Sequence, residues 1–334
     1  MITVAVVGVG GWGKNLVRNF GALPNCRLKT VCDLDEKALA RCKAADAGIG
    51  TTRDIADVLA DAEIDAVVIA TTATTHYDLA RKAIEAGKHV YDEKPMTLSV
   101  DDARALVDRA EAGGRVLMVG HLLEYHPCVL KLKEMISGGE LGDVYYMYMH
   151  RLNLGVVRKD ENAWWSLAPH DVSIALFLFG AEPATVTSQG HAYLRQGVED
   201  VVFTQLKFAD GRMANIHVSW LDPHRMRKVT LVGTKRMVTF DDTEATETIR
   251  IYDKAANVTP GSVDYADAIT LRQGDVLIPY VKSAEPLRLE CEHFIECVAG
   301  GKAPRSDGRD GLRVVKVLDA ATRSLKAGGA PIRL

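Results

Sequence analysis

Six residues near the amino terminus, Gly8-Val9-Gly10-Gly11-Trp12-Gly13, follow a short β-branched run and open a helical stretch. Glycines at the first, third and sixth places permit a tight turn and let backbone N–H groups and a helix N-terminus approach a pyrophosphate. Alone, such a turn is merely a strand-to-helix connection. Asp33, twenty residues past Gly13 at the end of the next strand-like run, adds chemistry. A carboxylate there accepts hydrogen bonds from adenosine ribose hydroxyls and repels a 2′-phosphate, so the combination selects NAD over NADP, although Asp is also common at strand ends. Glu93-Lys94-Pro95 comes just after another strand-like run, at the carboxyl edge where doubly wound sheets bind ligands. By position alone Lys94 suits a solvated surface charge equally well. His170 directly follows Pro169, a residue favoured in the first turn of a helix. An imidazole beside the positive helix end is held neutral, as a general base requires; in isolation His170 reads as well as a histidine satisfied by a local hydrogen bond. Ahead of it stand Arg151, Asn153, Arg158, Asn162, Trp164 and Trp165. Arginine recognises carboxylate or phosphate with two parallel bonds, and indole faces stack on sugar or base rings. Ordinary packing competes for both tryptophans and is the better reading for at least one.

These residues need elements to hold them. Strand-like runs at 2–7, 28–33, 66–71, 89–92 and 116–119 alternate with amphipathic helical stretches, which predicts a parallel, doubly wound α/β sheet. Leu79, Ala80, Ala83 and Ile84 recur at helical spacing, and Gly87 sits where a helix-ending glycine belongs. Ser99 with Asp102 resembles a capping box, and that helix closes at Gly113-Gly114. From residue 143 the period changes to two, with strands expected at 143–153, 184–194, 201–208, 213–221 and 228–241 and hairpin turns at Ala209-Asp210-Gly211 and Gly233-Thr234. One helix, about 169–179, interrupts them and ends at Gly180; helices at 285–299 and 308–326 follow, while 255–283 shows no pattern. The expected architecture is a dinucleotide-binding Rossmann domain over 1–122 and an α+β domain over 123–334 with an open-faced, mostly antiparallel sheet. The 308–326 helix is expected to pack back on the first domain.

Bulk properties bound the function. The 334 residues exceed what a single core usually organises. A net charge of −3, from 41 basic against 44 acidic side chains, argues against a nucleic-acid or membrane partner. Cys26, Cys32, Cys42, Cys128, Cys291 and Cys297 form no Cys-x-x-Cys pair and no zinc-like spacing with histidine, so they read as free thiols and no metal is expected. The run 2–7 is too short for a signal peptide, and no stretch approaches about 18 apolar residues. A cytoplasmic protein is expected.

Taken together, the 8–13 turn, Asp33, Thr71-Thr72-Ala73-Thr74-Thr75-His76, Glu93-Lys94-Pro95, the segment from His121 to Pro127 and His170 resemble the glucose–fructose oxidoreductase/inositol dehydrogenase (Gfo/Idh/MocA) family across almost the whole chain. The resemblance implies hydride transfer between a sugar or cyclitol and NAD, and a C-terminal sheet that assembles homodimers or homotetramers. It implies cofactor contacts from Gly8, Gly10, Gly11, Trp12, Gly13, Asp33, Thr71, Thr72, His76, Glu93 and Lys94. Lys94 becomes a positioning and proton-relay cation and His170 the base, with Arg151, Asn153, Arg158, Asn162, Trp165 and His170 meeting the substrate. Many members carry Asp four residues before that His and Pro in the threonine turn, where this chain has Ser166 and Ala73. Members without the Asp are similar to UDP-N-acetylglucosaminuronate 3-dehydrogenases, which points to C3 oxidation of a UDP-N-acetylhexosaminuronate. A cyclitol or free-sugar dehydrogenase, a 3-ketoreductase of nucleotide-deoxysugar synthesis and a non-catalytic NAD-binding regulator are the rival readings. Asp33 argues against the NADPH usual in the ketoreductase, and the presence of both Lys94 and His170 argues against the regulator.

Overall fold

The computed structural model describes residues 1–155, 157, 158, 161–258 and 269–334. The chain divides into two compact units, Met1–Tyr125 with Ala284–Lys316 and His126–Ser283 with Val317–Leu334.

In the first unit β1 (Ile2–Val7), α1 (Gly13–Gly21), β2 (Cys26–Cys32), α2 (Glu36–Ala45), β3 (Gly50–Thr52), α3 (Ile55–Ala60), β4 (Ala66–Ile69), α4 (Ala73–Glu85), β5 (His89–Asp92), α5 (Val100–Ala112) and β6 (Leu117–Val119) alternate. The strands form a six-stranded parallel sheet in the order β3-β2-β1-β4-β5-β6. β1 and β4 are almost wholly buried, as strands sandwiched between helices must be. The strand order reverses between β1 and β4, which is where doubly wound sheets bind ligands at their carboxyl edge. The Ser99 hydroxyl caps α5 by accepting the Asp102 N–H at 3.3 Å, and Gly87 takes φ +75° just past α4.

The second unit contains α6 (Pro127–Ser137), β7 (Val144–Leu152), α7 (Ala163–Phe179), β8 (Thr185–His191), β9 (Val201–Lys207), β10 (Met213–Ser219), β11 (Met226–Gly233), β12 (Met237–Asp241), β13 (Ile249–Val258) and β14 (Ile269–Leu277). Two helices follow, α8 (Pro286–Gly300) and α9 (Gly308–Lys326), and then β15 (Ile332–Arg333). Among the described residues, β7–β15 make a nine-stranded sheet, β14-β13-β12-β11-β7-β10-β9-β8-β15, antiparallel except where β10 runs parallel to β7. α7 packs on one face, against β7, β9 and β10. The other carries a row of rings, Tyr146, Tyr148, His150, His217 and Phe203, each near the next.

Three expectations are corrected. α8, expected within 123–334, groups with the first unit, because Phe294 meets Phe20 and Tyr91 edge-on in that unit's core, at 6.1 and 5.7 Å between ring centroids; the start of α9, expected to pack back on that domain, groups there too. Part of 255–283 is regular, forming the end of β13 and all of β14, whose residues are all exposed and so show no apolar alternation; 259–268 lie outside the described residues. α7 starts at Ala163, not at Pro169: Asn162 Oδ1 accepts the Trp165 N–H at 3.0 Å and caps a helix that runs on through the proline. His170 therefore lies about two turns inside α7, beyond the reach of the terminal field, which fades within one turn.

Candidate active site

The glycine turn is shaped by what surrounds it. Gly8 has φ +86°, and a Cβ there would lie 2.7 Å from the Ala70 carbonyl. A Cβ on Gly13 would fall 1.9 Å from the Gly8 oxygen, whereas at Gly10 and Gly11 it would meet nothing within 4 Å. The first and last glycines thus close the turn, and the middle two leave open space over the start of α1. That helix has no side-chain cap and no acidic residue in its first turn, so its orphan N–H groups suit a pyrophosphate. Asp33 supports the same turn: Oδ2 accepts the Val9 N–H at 2.7 Å and Oδ1 the Asp35 N–H at 2.9 Å. Each carboxylate oxygen keeps a second lone pair for a ribose hydroxyl. These features fit a bound dinucleotide.

Two more turns lie at the same sheet edge. After β4, the hydroxyls of Thr71 and Thr75 sit 2.7 Å apart, and Thr72 starts α4 without using its side chain as a cap. After β5, buried Glu93 accepts the Trp12 indole N–H at 2.6 Å, which ties the glycine turn to the half-buried Lys94 that comes next. Burial pushes the Glu93 carboxyl up, against the opposing pull of that indole bond and of Lys94. His76 is a correction. It is 1% exposed, with Nδ1 3.0 Å from the Pro95 carbonyl and Nε2 3.2 Å from the Thr71 carbonyl, so its ring does not face a cofactor.

Further back, His121, Glu124 and Asp310 bring possible ligand atoms within 4.8 Å of one another, all buried. Burial alone would lower the His121 pKa, but hydrogen bonds to Asp310 and Glu124 carry it up to about 10. Arg313 also donates to Asp310, at 2.5 Å. That carboxylate therefore already has a guanidinium partner.

In the second unit the residues assigned to substrate separate into two groups. Asn153 and Arg158 are exposed, and Arg158 pairs with Glu161 at 3.1 Å. Arg151, Asn162 and Trp165 have internal partners. Arg151 is buried and forks onto Asp171, Nε to Oδ2 at 2.7 Å and Nη2 to Oδ1 at 3.1 Å, so its guanidinium does not await an anionic ligand. Asn162 caps α7 and donates to Glu199 at 2.6 Å, and the half-buried Trp165 donates to the Thr322 hydroxyl at 3.0 Å. Trp164 is fully buried, donating to the Leu318 carbonyl. His170 is half-buried on α7, one residue before Asp171, and Ser166 is buried one turn earlier. Sequence reasoning missed Asp171 and Asp92. Both had a signal: one is a carboxylate directly after a candidate base, the other an acid that ends a strand directly before Glu93.

A parallel sheet whose first strand opens into an uncapped glycine turn, with a carboxylate after the second strand, has the form of a dinucleotide-binding domain. Residues 2–121 match the oxidoreductase family with an NAD-binding Rossmann fold, and residues 129–239 match the Gfo/Idh/MocA C-terminal domain, so the chain belongs to the Gfo/Idh/MocA family. It is 29% identical over 352 residues to scyllo-inositol 2-dehydrogenase (NAD(+)) of Bacillus subtilis, covering 100% of this chain and 96% of that one. It is also 29% identical over 312 residues to UDP-N-acetylglucosamine 3-dehydrogenase of Acidithiobacillus ferrooxidans, covering 93% of each. The structure of GenD2 from gentamicin A biosynthesis in complex with NAD matches with a TM-score of 0.83 at 26% identity, over 100% of this chain and 96% of that one. Among the described residues no helix is long and apolar enough to cross a membrane.

Proposed function

We propose that the chain is an NAD-dependent dehydrogenase that oxidises a secondary alcohol on a neutral polyhydroxylated ring, a cyclitol or a sugar. The observation that carries this is the 2.6 Å bond from Trp12 to Glu93, which holds a lysine turn against the cofactor turn. NAD, when bound, supplies the hydride acceptor. Gly8, Gly10, Gly11, Trp12 and Gly13 hold its pyrophosphate, Asp33 its adenosine ribose, and Thr71, Thr72 and Glu93 line the adjoining turns. Lys94 holds the reacting hydroxyl oxygen by its positive charge, and His170 accepts the hydroxyl proton. A neutral ring is favoured because Arg151 is neutralised by Asp171. A second reading, C3 oxidation of a UDP-linked N-acetylhexosaminuronate, is favoured by Arg158, which is exposed, as Asn153 is, in the segment ahead of α7.

The test is NADH formation by the purified chain with NAD and a panel of scyllo-inositol, myo-inositol, glucose, UDP-N-acetylglucosamine and its uronate. Turnover of a neutral ring in preference to the uronate is the expected result; tight NAD binding without turnover of any panel member would overturn the proposal. For the second reading, Arg158→Ala should raise the uronate's KM about tenfold, the scale of a lost charge-assisted bond, and leave the neutral sugar unchanged. An equal, weak effect on both sugars would remove that reading.

A further inference from the structure

We propose that His76, charge-paired with Asp92, is a positioning residue that locks the Lys94 turn to the threonine turn after β4 and acts on turnover through Lys94. The inference rests on the role given to Lys94 above. His76 sits in the first turn of α4, where its ring reaches between two loops that the chain does not otherwise join in sequence. One nitrogen meets the carbonyl of Pro95, the residue after Lys94, and the other meets the carbonyl of Thr71, the first residue of the threonine turn. Carbonyl oxygens only accept, so a neutral imidazole, with its single N–H, can satisfy one of them and must set a lone pair against the other. Both are satisfied only by the doubly protonated ring.

A buried imidazolium needs a counter-charge, and one is present. Asp92 Oδ1 lies 3.4 Å from His76 Nδ1, Asp92 is 0% exposed, and neither of its oxygens has a hydrogen-bond partner among the described residues. Burial lowers the His76 pKa and raises the Asp92 pKa well above the usual carboxyl range, so it opposes both charges; the charged pair rests on the two ring-to-carbonyl contacts and the 3.4 Å approach of a carboxylate with no other partner among the described residues. The charged neighbours are Glu93, which raises the Asp92 pKa, and Lys94, which lowers that of His76. The ion pair fastens the backbone on the carboxyl side of Lys94. Removing it leaves the ammonium attached but frees the turn that aims it.

The experiment is a double-mutant cycle on the NAD-bound chain with the best substrate of the panel above. His76→Gln should lower kcat about tenfold, within the range for a misplaced acid–base group, while the NAD Kd stays within about threefold. In a Lys94→Ala background the same change should alter kcat by less than about twofold, because the group it positions is gone. Asp92→Asn, which is nearly isosteric, should repeat the pattern and keeps the test alive if His76→Gln does not fold. His76→Asn, whose amide nitrogen takes the place of Nδ1, should recover part of the loss by rebinding Pro95. In the unaltered protein the ring 15N resonances of His76 should show both nitrogens protonated at neutral pH. Equal fractional losses in both backgrounds, or a singly protonated ring, would overturn the His76 proposal and leave Lys94 in its role. Undiminished turnover in Lys94→Ala alone would overturn both.

Discussion

In the six-stranded sheet the 8–13 turn, the 71–75 turn and Glu93-Lys94 all fall at strand carboxyl ends, and their polar atoms are held beside open space or beside one another. In the second unit, side chains of equally suggestive type are bound internally: Arg151 of β7 by Asp171, and Asn162 and Trp165 at the start of α7 by Glu199 and Thr322. The difference lies in topology. Parallel strands joined by helices bring every βα turn to the same edge, so a residue just after a strand is at that edge whatever its partner. A long antiparallel strand alternates between two faces, so an arginine's type and spacing leave open whether it faces a ligand or the helix behind it. Arg151 faces the helix. Position in the chain is therefore a stronger guide to function in the first unit than in the second.

The sharpest way to break this contrast is to remove the two residues proposed to act on the hydroxyl, one from each unit. Lys94→Ala and His170→Ala should each lower turnover roughly 10²–10⁴-fold, the usual scale for a positioned acid or base, with NAD binding retained. NADH absorbance measures the first quantity and a fluorescence titration with NAD the second. Near-normal turnover in His170→Ala would mean that His170 is not the base.

Next in size is Arg151→Ala, which tests whether that arginine belongs to the scaffold. Its removal strands the Asp171 carboxylate, 2% exposed, without a partner, and breaking one side of a buried ion pair costs about 3–5 kcal/mol. Urea denaturation should register that loss, and Arg151→Met combined with Asp171→Leu should recover most of it, because no charge is then left buried. A stable Arg151→Ala protein with only a raised substrate KM would return Arg151 to the binding site.

How far the sequence is legible follows the same division. β1, β5 and α9 have the bounds expected of them, because a mostly β-branched run in β1, the turn residues that bracket β5 and a long i, i+3, i+4 pattern in α9 leave few alternatives. β3 escaped notice because its three residues cannot display a period. β14 escaped because a wholly exposed strand has no apolar face. The start of α7 was misplaced because Pro169 reads as a first-turn proline, and only the Asn162 cap, with its carboxamide also held by Glu199, places the helix N-terminus earlier. The pairings of His76 with Asp92 and Arg151 with Asp171 join residues far apart in the chain or on different elements, and such contacts leave no local pattern to read.

The smallest expected effect concerns Asp33, where both halves of the contrast meet in one residue, since its carboxylate is scaffold and ligand partner together. A charge-assisted bond to a ribose hydroxyl contributes roughly 1.5–3 kcal/mol, so Asp33→Ala should weaken NAD binding about tenfold or more. That variant also releases the Val9 and Asp35 N–H groups, which the carboxylate holds at 2.7 and 2.9 Å, and so mixes the loss of a ligand contact with a loosened turn. Asp33→Asn separates the two. Its amide oxygen still accepts one backbone N–H and keeps part of the turn, while the charge that repels a 2′-phosphate is gone. NAD affinity should then fall less than in Asp33→Ala, and NADP affinity should rise in both variants relative to NAD. Calorimetric titration of the three proteins with both dinucleotides decides it: unchanged NAD affinity in Asp33→Ala, or a preference for NADP in the unaltered chain, would show that Asp33 serves the turn alone.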